Sequence, residues 1–364
     1  MFRILRWCTA RHRKALAGID YYSLAASEAF DKLHELVRKL AKINEAEQWG
    51  KETASSLTQM KQYLKSSFRM KLKSFSRISD HCFLWALSDP AEPRFQGHGD
   101  ETHVHDENCL TCDNCEHGKS TILSIRDMVD VTRYQDPTDK NIDAYLVERY
   151  SEELDRYKAH VVRTAWLEFA KQDALTKMDE TTVFITLDWA MKWLPRKAKE
   201  SQTGWFGKRG TPWHISEALL KKGGKFYTRT IVHVFDSTPQ GSGEVTAIVA
   251  HALQTIKVEQ PQIRQAIIRS DNAACYKSSA TILSLPEISK AGVEITRWMF
   301  SEAQSGKGPA DRAAARIKRH VNMYVDEGND AASGDDFVAA AGSHGGLRGV
   351  SFFYGMAEVP TEPL

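Results

Sequence analysis

Residues 182–194 read TVFITLDWAMKWL, and the fold is decided there. Val183, Phe184, Ile185 and Leu187 make a short apolar run rich in β-branched and aromatic residues, the composition of a buried core strand. Asp188 is the one acid in it. An aspartate where a buried strand meets its loop is either a turn former or a cation ligand, and this stretch alone leaves both open.

A second place downstream repeats the pattern. In AIIRSDN, residues 266–272, Ile267 and Ile268 lead into Ser270, Asp271 and Asn272. A helix is expected over 275–285 and a further strand over 293–300, followed by the loop SEAQSGKG and a helix opening with Pro309, Ala310 and Asp311. Proline just inside a helix start, after Gly308, is favourable start chemistry, so Asp311 falls in the first turn. Two strand-end aspartates and an acid on a later helix are the hard oxygen set that a two-metal phosphoryl-transfer site needs, with divalent ions about 4 Å apart. The alternative for Asp311 is that an acid in a first turn is favoured by the helix dipole without any catalytic role.

The order strand–Asp, strand–Asp–Asn, loop, helix–Asp resembles the ribonuclease-H-like core of DDE/D transposases and retroviral integrases. The words LDWAMKWLP, ESQTGWFGKRGTPWHIS, RSDNAACY and SGKGPADRAAARIKRHV are similar to transposon-derived proteins of animal genomes, and the resemblance runs from about residue 4 to residue 350. It implies an α/β fold: a ribonuclease-H-like mixed sheet flanked by helices, preceded by a helical region and a small zinc-binding module. It also implies that Asp188, Asp271 and Asp311 are catalytic acids holding Mg²⁺ or Mn²⁺, that the partner is DNA, and that the protein acts in the nucleus. Glu302, in the loop before the helix, competes for the third position and ranks second.

Strand candidates at 213–219 and 226–235 and a helix over 244–257 lie between the first two acids, which suits a mixed sheet with helices on it. Asp236, followed by Ser237 and Thr238, reads as a turn former. Lys208, Arg209 and Lys307 lie near the expected active loops and are the candidate DNA-phosphate contacts, with His214 and Lys277 close by. The GKG around Lys307 lacks the glycine and Lys-Ser/Thr spacing of a P-loop, which excludes a nucleotide-triphosphatase reading. Trp205, Phe206 and Trp213 read as core aromatics, with base stacking as the alternative.

The net charge of +2 hides an asymmetry: residues 1–80 hold 16 Lys and Arg against 8 Asp and Glu. Arg3, Arg6, Arg11, Arg13 and Lys14, then Lys61, Lys65, Arg69, Lys71, Lys73 and Arg77, would suit phosphates, although a charge run by itself is an ordinary solvated face. Helices are expected over 21–42, 52–65 and, as a long connector with an apolar stripe, 142–178. Between them, HVHDENCLTC offers nitrogen and thiolate ligands for a structural zinc, with Cys82, His103, His105, Cys109 and Cys112 as the set and His98 and Cys115 as further candidates. The related proteins commonly carry another Cys near Glu101, so the fourth ligand stays open.

The segments are therefore 1–80 basic helical, 81–120 zinc-binding, 121–178 connector, 179–327 catalytic core and 328–364 a tail packing on the core. No apolar run reaches the roughly 18 residues of a membrane span, and the first ten residues lack a signal peptide's apolar core, which suggests an intracellular protein with no membrane partner. A homodimer or higher oligomer is a further expectation. The favoured function is cleavage and strand transfer of DNA phosphodiesters. The alternative is a DNA-binding descendant that has lost the chemistry. An exonuclease on the same fold would need Glu two residues after the first acid, where this chain has Ala190.

Overall fold

A computed structural model describes residues 20–87, 110–302 and 308–355. Lys307, His98, His103, His105, Cys109 and the cluster Arg3 to Lys14 lie outside the described residues. The chain divides into two compact units, with the boundary between Trp166 and Leu167.

The first unit is helical. Helix α1 (Tyr21–Ile43) starts where the Asp20 carboxylate accepts the Ser23 N–H at 2.7 Å, and its Ala26, Ala29, Phe30, Leu33, Leu36, Val37 and Leu40 are all buried along one face. Helix α2 (Glu47–Lys65) begins five residues before the expected start, running through Gly50. A Cβ at Gly50 would lie 2.6 Å from Ala41 Cβ, so the glycine lets α2 cross α1 closely, and that contact outweighs its poor helix propensity. Helix α3 (Asp113–Val131) and the first part of α4 (Pro137–Lys177) complete a core that includes Leu57, Ile125, Val147 and Leu154. Asp143 is buried here, with both carboxylate oxygens 2.8 Å from Lys39 Nζ and one 2.9 Å from the Tyr134 hydroxyl. Such a buried charge is tolerated because it is paired and hydrogen-bonded.

The second unit is built on a mixed six-stranded sheet. Its strands are β1 (Thr182–Trp193), β2 (Thr211–Lys222), β3 (Lys225–Val234), β4 (Gln265–Ser270), β5 (Glu294–Phe300) and β6 (Val350–Tyr354), in the order β5-β4-β1-β2-β3-β6. Strands β1, β2 and β3 are antiparallel neighbours, while β4 on β1, β5 on β4 and β6 on β3 are parallel. The β2–β3 turn is Gly223–Gly224, both at positive φ (56° and 73°), as a two-residue hairpin requires.

Alternation along β1 sorts its side chains between the two faces. Val183, Ile185 and Leu187 pack with α5 (Ser242–Glu259), each contributing about 2 kcal/mol by burial. Ala190 and Trp193 pack with α6 (Pro309–Asp326) and α7 (Gly334–Gly342) on the other face. Asp188 shares the parity of Ala190, so it belongs to the α6 face.

Two expectations change. Asp188 is not at a strand end: β1 continues to Trp193 because residues 189–193 pair with β2, while its parallel partner β4 stops at Ser270. The helix expected over 275–285 is three short pieces, Ala274–Lys277, Ser279–Leu283 and Leu285–Ser289, because Ser278 turns extended to cap the second and Pro286 sits in the first turn of the third. In the segment after 328, Phe337, Ala340 and Ala341 enter the core and β6 joins the sheet at its edge, beside β3. Among the described residues, no helix is long and apolar enough to cross a membrane.

Candidate functional site

Sheet geometry brings the acids together. Thr186 of β1 pairs with Arg269 of β4, so the point where β4 ends and delivers Asp271 lies beside Asp188. The first turn of α6 brings Asp311 against the same edge. All three line one cleft of roughly 480 Å³, with Glu302, Glu168, Lys171, Arg269 and Arg312 on its walls. That wall carries five carboxylates against three cations, an imbalance that favours a bound cation.

Asp188 is the unusual member. It is half-buried, and neither carboxylate oxygen has a hydrogen bond or ion pair among the described residues. Burial, then the nearby charges of Asp311 and Asp271, push its carboxyl up to about 7. A carboxylate that only destabilises the fold at neutral pH, in a cleft of other acids, is a functional signature. Asp271 Oδ1 accepts the Ala273 N–H at 2.9 Å, and Asp311 Oδ2 accepts the Gly308 N–H at 2.7 Å. Gly308 has no side chain to return the second bond, so this is half a capping box. Each acid keeps its other oxygen without a hydrogen bond among the described residues, which is compatible with ligation. Glu302 lines the cleft too.

The donor set, carboxylates only, suits hard divalent ions such as Mg²⁺ or Mn²⁺. Asp236 stands apart, and its bonds are long-range rather than those of the local turn former expected: it accepts the Gly334 N–H at 3.0 Å and the Tyr354 hydroxyl, tying α7 and β6 to the end of β3. Lys208 is not in the cleft wall; its ammonium donates to the Pro195 carbonyl at 2.7 Å and pairs with Glu200, so its charge is already matched. Arg209 is exposed. His214 is buried with Nε2 3.0 Å from the Tyr276 hydroxyl, and Trp213 is a core residue.

A second group of ligand atoms lies in the helical unit. His81, Cys112 and Cys115 are buried, and one ligand atom from each lies within 4.8 Å of the others, a group that could hold a metal ion such as zinc. Cys112 immediately precedes α3 and Cys115 is in its first turn, which is how the C-x-x-C spacing aims two sulfurs at one point. The Tyr63 hydroxyl sits among them, 2.9 Å from His81 Nε2, 3.4 Å from Cys112 Sγ and 3.6 Å from Cys115 Sγ. Burial pushes the Cys115 thiol up to about 11. Burial acts the same way on Cys112, but hydrogen bonds from Tyr63 and from the backbone at Cys115 and Asn114 bring it below the usual thiol range.

Among the described residues, Cys82 is not part of this group, and its Sγ is 3.6 Å from the Ser74 carbonyl. The neighbouring His81 takes the place, because residues 79–81 form a helical turn that carries its ring to Cys115, 3.6 Å away. Sequence reasoning missed His81. The signal was present in the adjacent pair His81–Cys82, but spacing could not say which of the two faces α3.

Fold and cleft define the class: an α/β protein whose mixed sheet, flanked by helices, carries an acid-lined cleft at the carboxyl end of a parallel strand. Residues 168–358 match the family described as a domain of unknown function, DUF8701, and the chain belongs to that family. No curated protein matches the chain.

Proposed function

We propose that the chain is a divalent-metal-dependent, transposase- or integrase-like enzyme that cleaves and joins DNA phosphodiesters on a ribonuclease-H-like core in the nucleus. The observation that carries this is Asp188, half-buried, without a hydrogen bond or ion pair, its charge opposed by Asp311 and Asp271. An antiparallel run β1–β2–β3 extended by parallel β4 and β5, with the acids on the central strand, at the next strand's end and on a later helix, supports the same reading.

In this reading Asp188, Asp271 and Asp311 would hold the divalent metal. Mg²⁺ or Mn²⁺ held there would supply activation of a water or 3′-hydroxyl and neutralisation of the leaving oxygen. Arg312, exposed and without a carboxylate partner among the described residues, and Lys171 flank the acids and would orient the scissile phosphate. The attacking oxygen forms a bond to phosphorus in line with the departing oxygen, which leaves as the hydroxyl of the released strand. His81, Cys112 and Cys115 would hold a structural zinc, remote in role from this chemistry.

The test is cleavage of plasmid and oligonucleotide DNA with Mg²⁺ or Mn²⁺, beside calorimetric titration of the metal. The unsubstituted protein binds the ion and cuts DNA. Asp188→Ala with Asp271→Ala loses both, by at least about a hundredfold in rate. Cleavage surviving in the variant refutes the assignment. No metal binding by the unsubstituted protein, even with DNA present, leaves the DNA-binding descendant as the reading.

A further inference from the structure

The β1–β2 connection, residues 194–210, carries two aromatic side chains that folding does not use. Trp205 is 58% exposed and Phe206 70% exposed, and neither belongs to any hydrophobic cluster of the protein. Trp213 on the adjoining strand, by contrast, is fully enclosed. Two adjacent exposed rings therefore call for an occupant.

The loop holding them is pinned. Arg196 and Ala331 exchange both backbone hydrogen bonds at 2.8 Å, and the Asp330 carboxylate accepts the Ala198 N–H at 2.9 Å. Lys208 Nζ lies 4.7 Å from the Trp205 ring centre, and that lysine is itself fixed by the Pro195 carbonyl and by Glu200, in an ion pair whose side chains are only 13% and 11% exposed. The indole is thus backed by an immobile cation and is held in place before any ligand arrives. Gly207, at φ 78°, turns the chain directly after the two rings, so Lys208 can fold back under Trp205 while Phe206 stays outside.

Charge identifies the occupant. Between residues 192 and 209 there are six cations, Lys192, Arg196, Lys197, Lys199, Lys208 and Arg209, against the single acid Glu200. Lys192, Lys197, Lys199 and Arg209 are exposed and have no carboxylate partner among the described residues. Flat apolar faces set among unmatched cations suit unpaired bases joined by phosphates, whereas a duplex keeps its base faces inside the stack. Moreover, the loop leaves β1 at Trp193, five residues past Asp188, a rise of about 17 Å along the strand that carries the acid.

We infer that Trp205 and Phe206 form a stacking platform for unpaired nucleotides, gripping a single-stranded segment of a substrate whose scissile phosphodiester sits in the acid cleft. The inference rests on the polynucleotide reading of that cleft and gives it a substrate form: DNA with an unpaired stretch, rather than continuous duplex.

Fluorescence anisotropy in EDTA, where no metal-dependent chemistry runs, tests it with three labelled probes of one length: a natural single strand, an abasic single strand and a blunt duplex. The unsubstituted protein prefers the natural strand to the abasic one. Trp205→Ala with Phe206→Ala, its melting curve unchanged, weakens natural-strand binding by about tenfold or more and abasic-strand binding by less than about twofold. Equal binding of natural and abasic strands, or a variant within about twofold of the unsubstituted protein, overturns the inference. So does an intact strand affinity with binding to anionic lipid vesicles lost, which would assign the patch to a membrane surface. Cleavage by the unsubstituted protein with Mn²⁺ is scored separately. Stacking without cleavage refutes the active-site reading alone, and cleavage without stacking refutes the platform alone.

Discussion

Replacing Asp188 by Asn should make the metal-free protein more stable at neutral and alkaline pH, the opposite of the usual effect of substituting a half-buried residue. The folded carboxyl binds its proton with a pKa of about 7, against about 3.9 in an unfolded chain. The folded pKa is raised, so the folded state holds the proton more tightly and ionisation works against folding. This penalty is absent below about pH 4, grows between about pH 4 and pH 7, and is complete above that. Three units at about 1.36 kcal/mol each give about 4 kcal/mol near pH 8, an upper bound that solvent relaxation would cut to about 2 kcal/mol. The assay is urea unfolding of the unsubstituted protein and Asp188→Asn in EDTA across that pH range. The two curves should meet near pH 4 and diverge as pH rises, with Asp188→Asn the more stable. Adding Mn²⁺ should restore the unsubstituted protein above pH 7 and do little for the variant. An Asp188→Asn protein less stable than its parent near pH 8, or one with the same pH slope, would refute the account of Asp188 as a strained carboxylate waiting for a cation.

Asp311→Asn removes one of the two like charges opposing Asp188, so the destabilisation should be smaller and complete at a lower pH, its onset near pH 4 unchanged; an unmoved upper limit in the same unfolding series would detach Asp311 from the cleft. Its own cost, from the weakened bond to the Gly308 N–H, is about 0.5–1 kcal/mol. Cys115→Ser should abolish zinc retention, measured by elemental analysis of the purified protein, and lower the stability of the helical unit by several kcal/mol, while Cys82→Ser should keep the zinc. Gly50→Ala places a methyl group 2.6 Å from Ala41 Cβ and should cost about 1–3 kcal/mol by denaturant unfolding, despite alanine's better helix propensity. A stabilised Gly50→Ala protein would show that α1 and α2 do not pack as closely as described.

Much of the architecture was legible because it is local. The apolar run 183–187, the strands near 213–219 and 226–235, the helix opening at Pro309 and the 21–42 stripe are each encoded by periodicity or by cap chemistry within a few residues. Asp188, Asp271 and Asp311 could be nominated for the same reason, since each follows or opens a recognisable element. What failed had two sources, one in partners distant in the chain and one in local capping. The length of β1 beyond Asp188 is set by its pairing with residues 211–214, and the helix between β4 and β5 broke at serines whose capping the apolar pattern does not register.

By itself, then, the sequence determined which segments are helices and strands and which residue types could bind a metal, because hydrophobic period and ligand chemistry are properties of neighbouring residues. Only the tertiary structure decided that three acids, up to 123 positions apart in the sequence, line one cleft, since strand order and parallel pairing bring Asp271 and Asp311 to the edge beside Asp188. It decided in the same way that His81 and not Cys82 meets Cys112 and Cys115, and that Lys208 is matched by Glu200 while Trp205 and Phe206 stay exposed. Burial and charge pairing are properties of the packed chain. A side chain's surroundings exist only once residues far apart in sequence have been brought together.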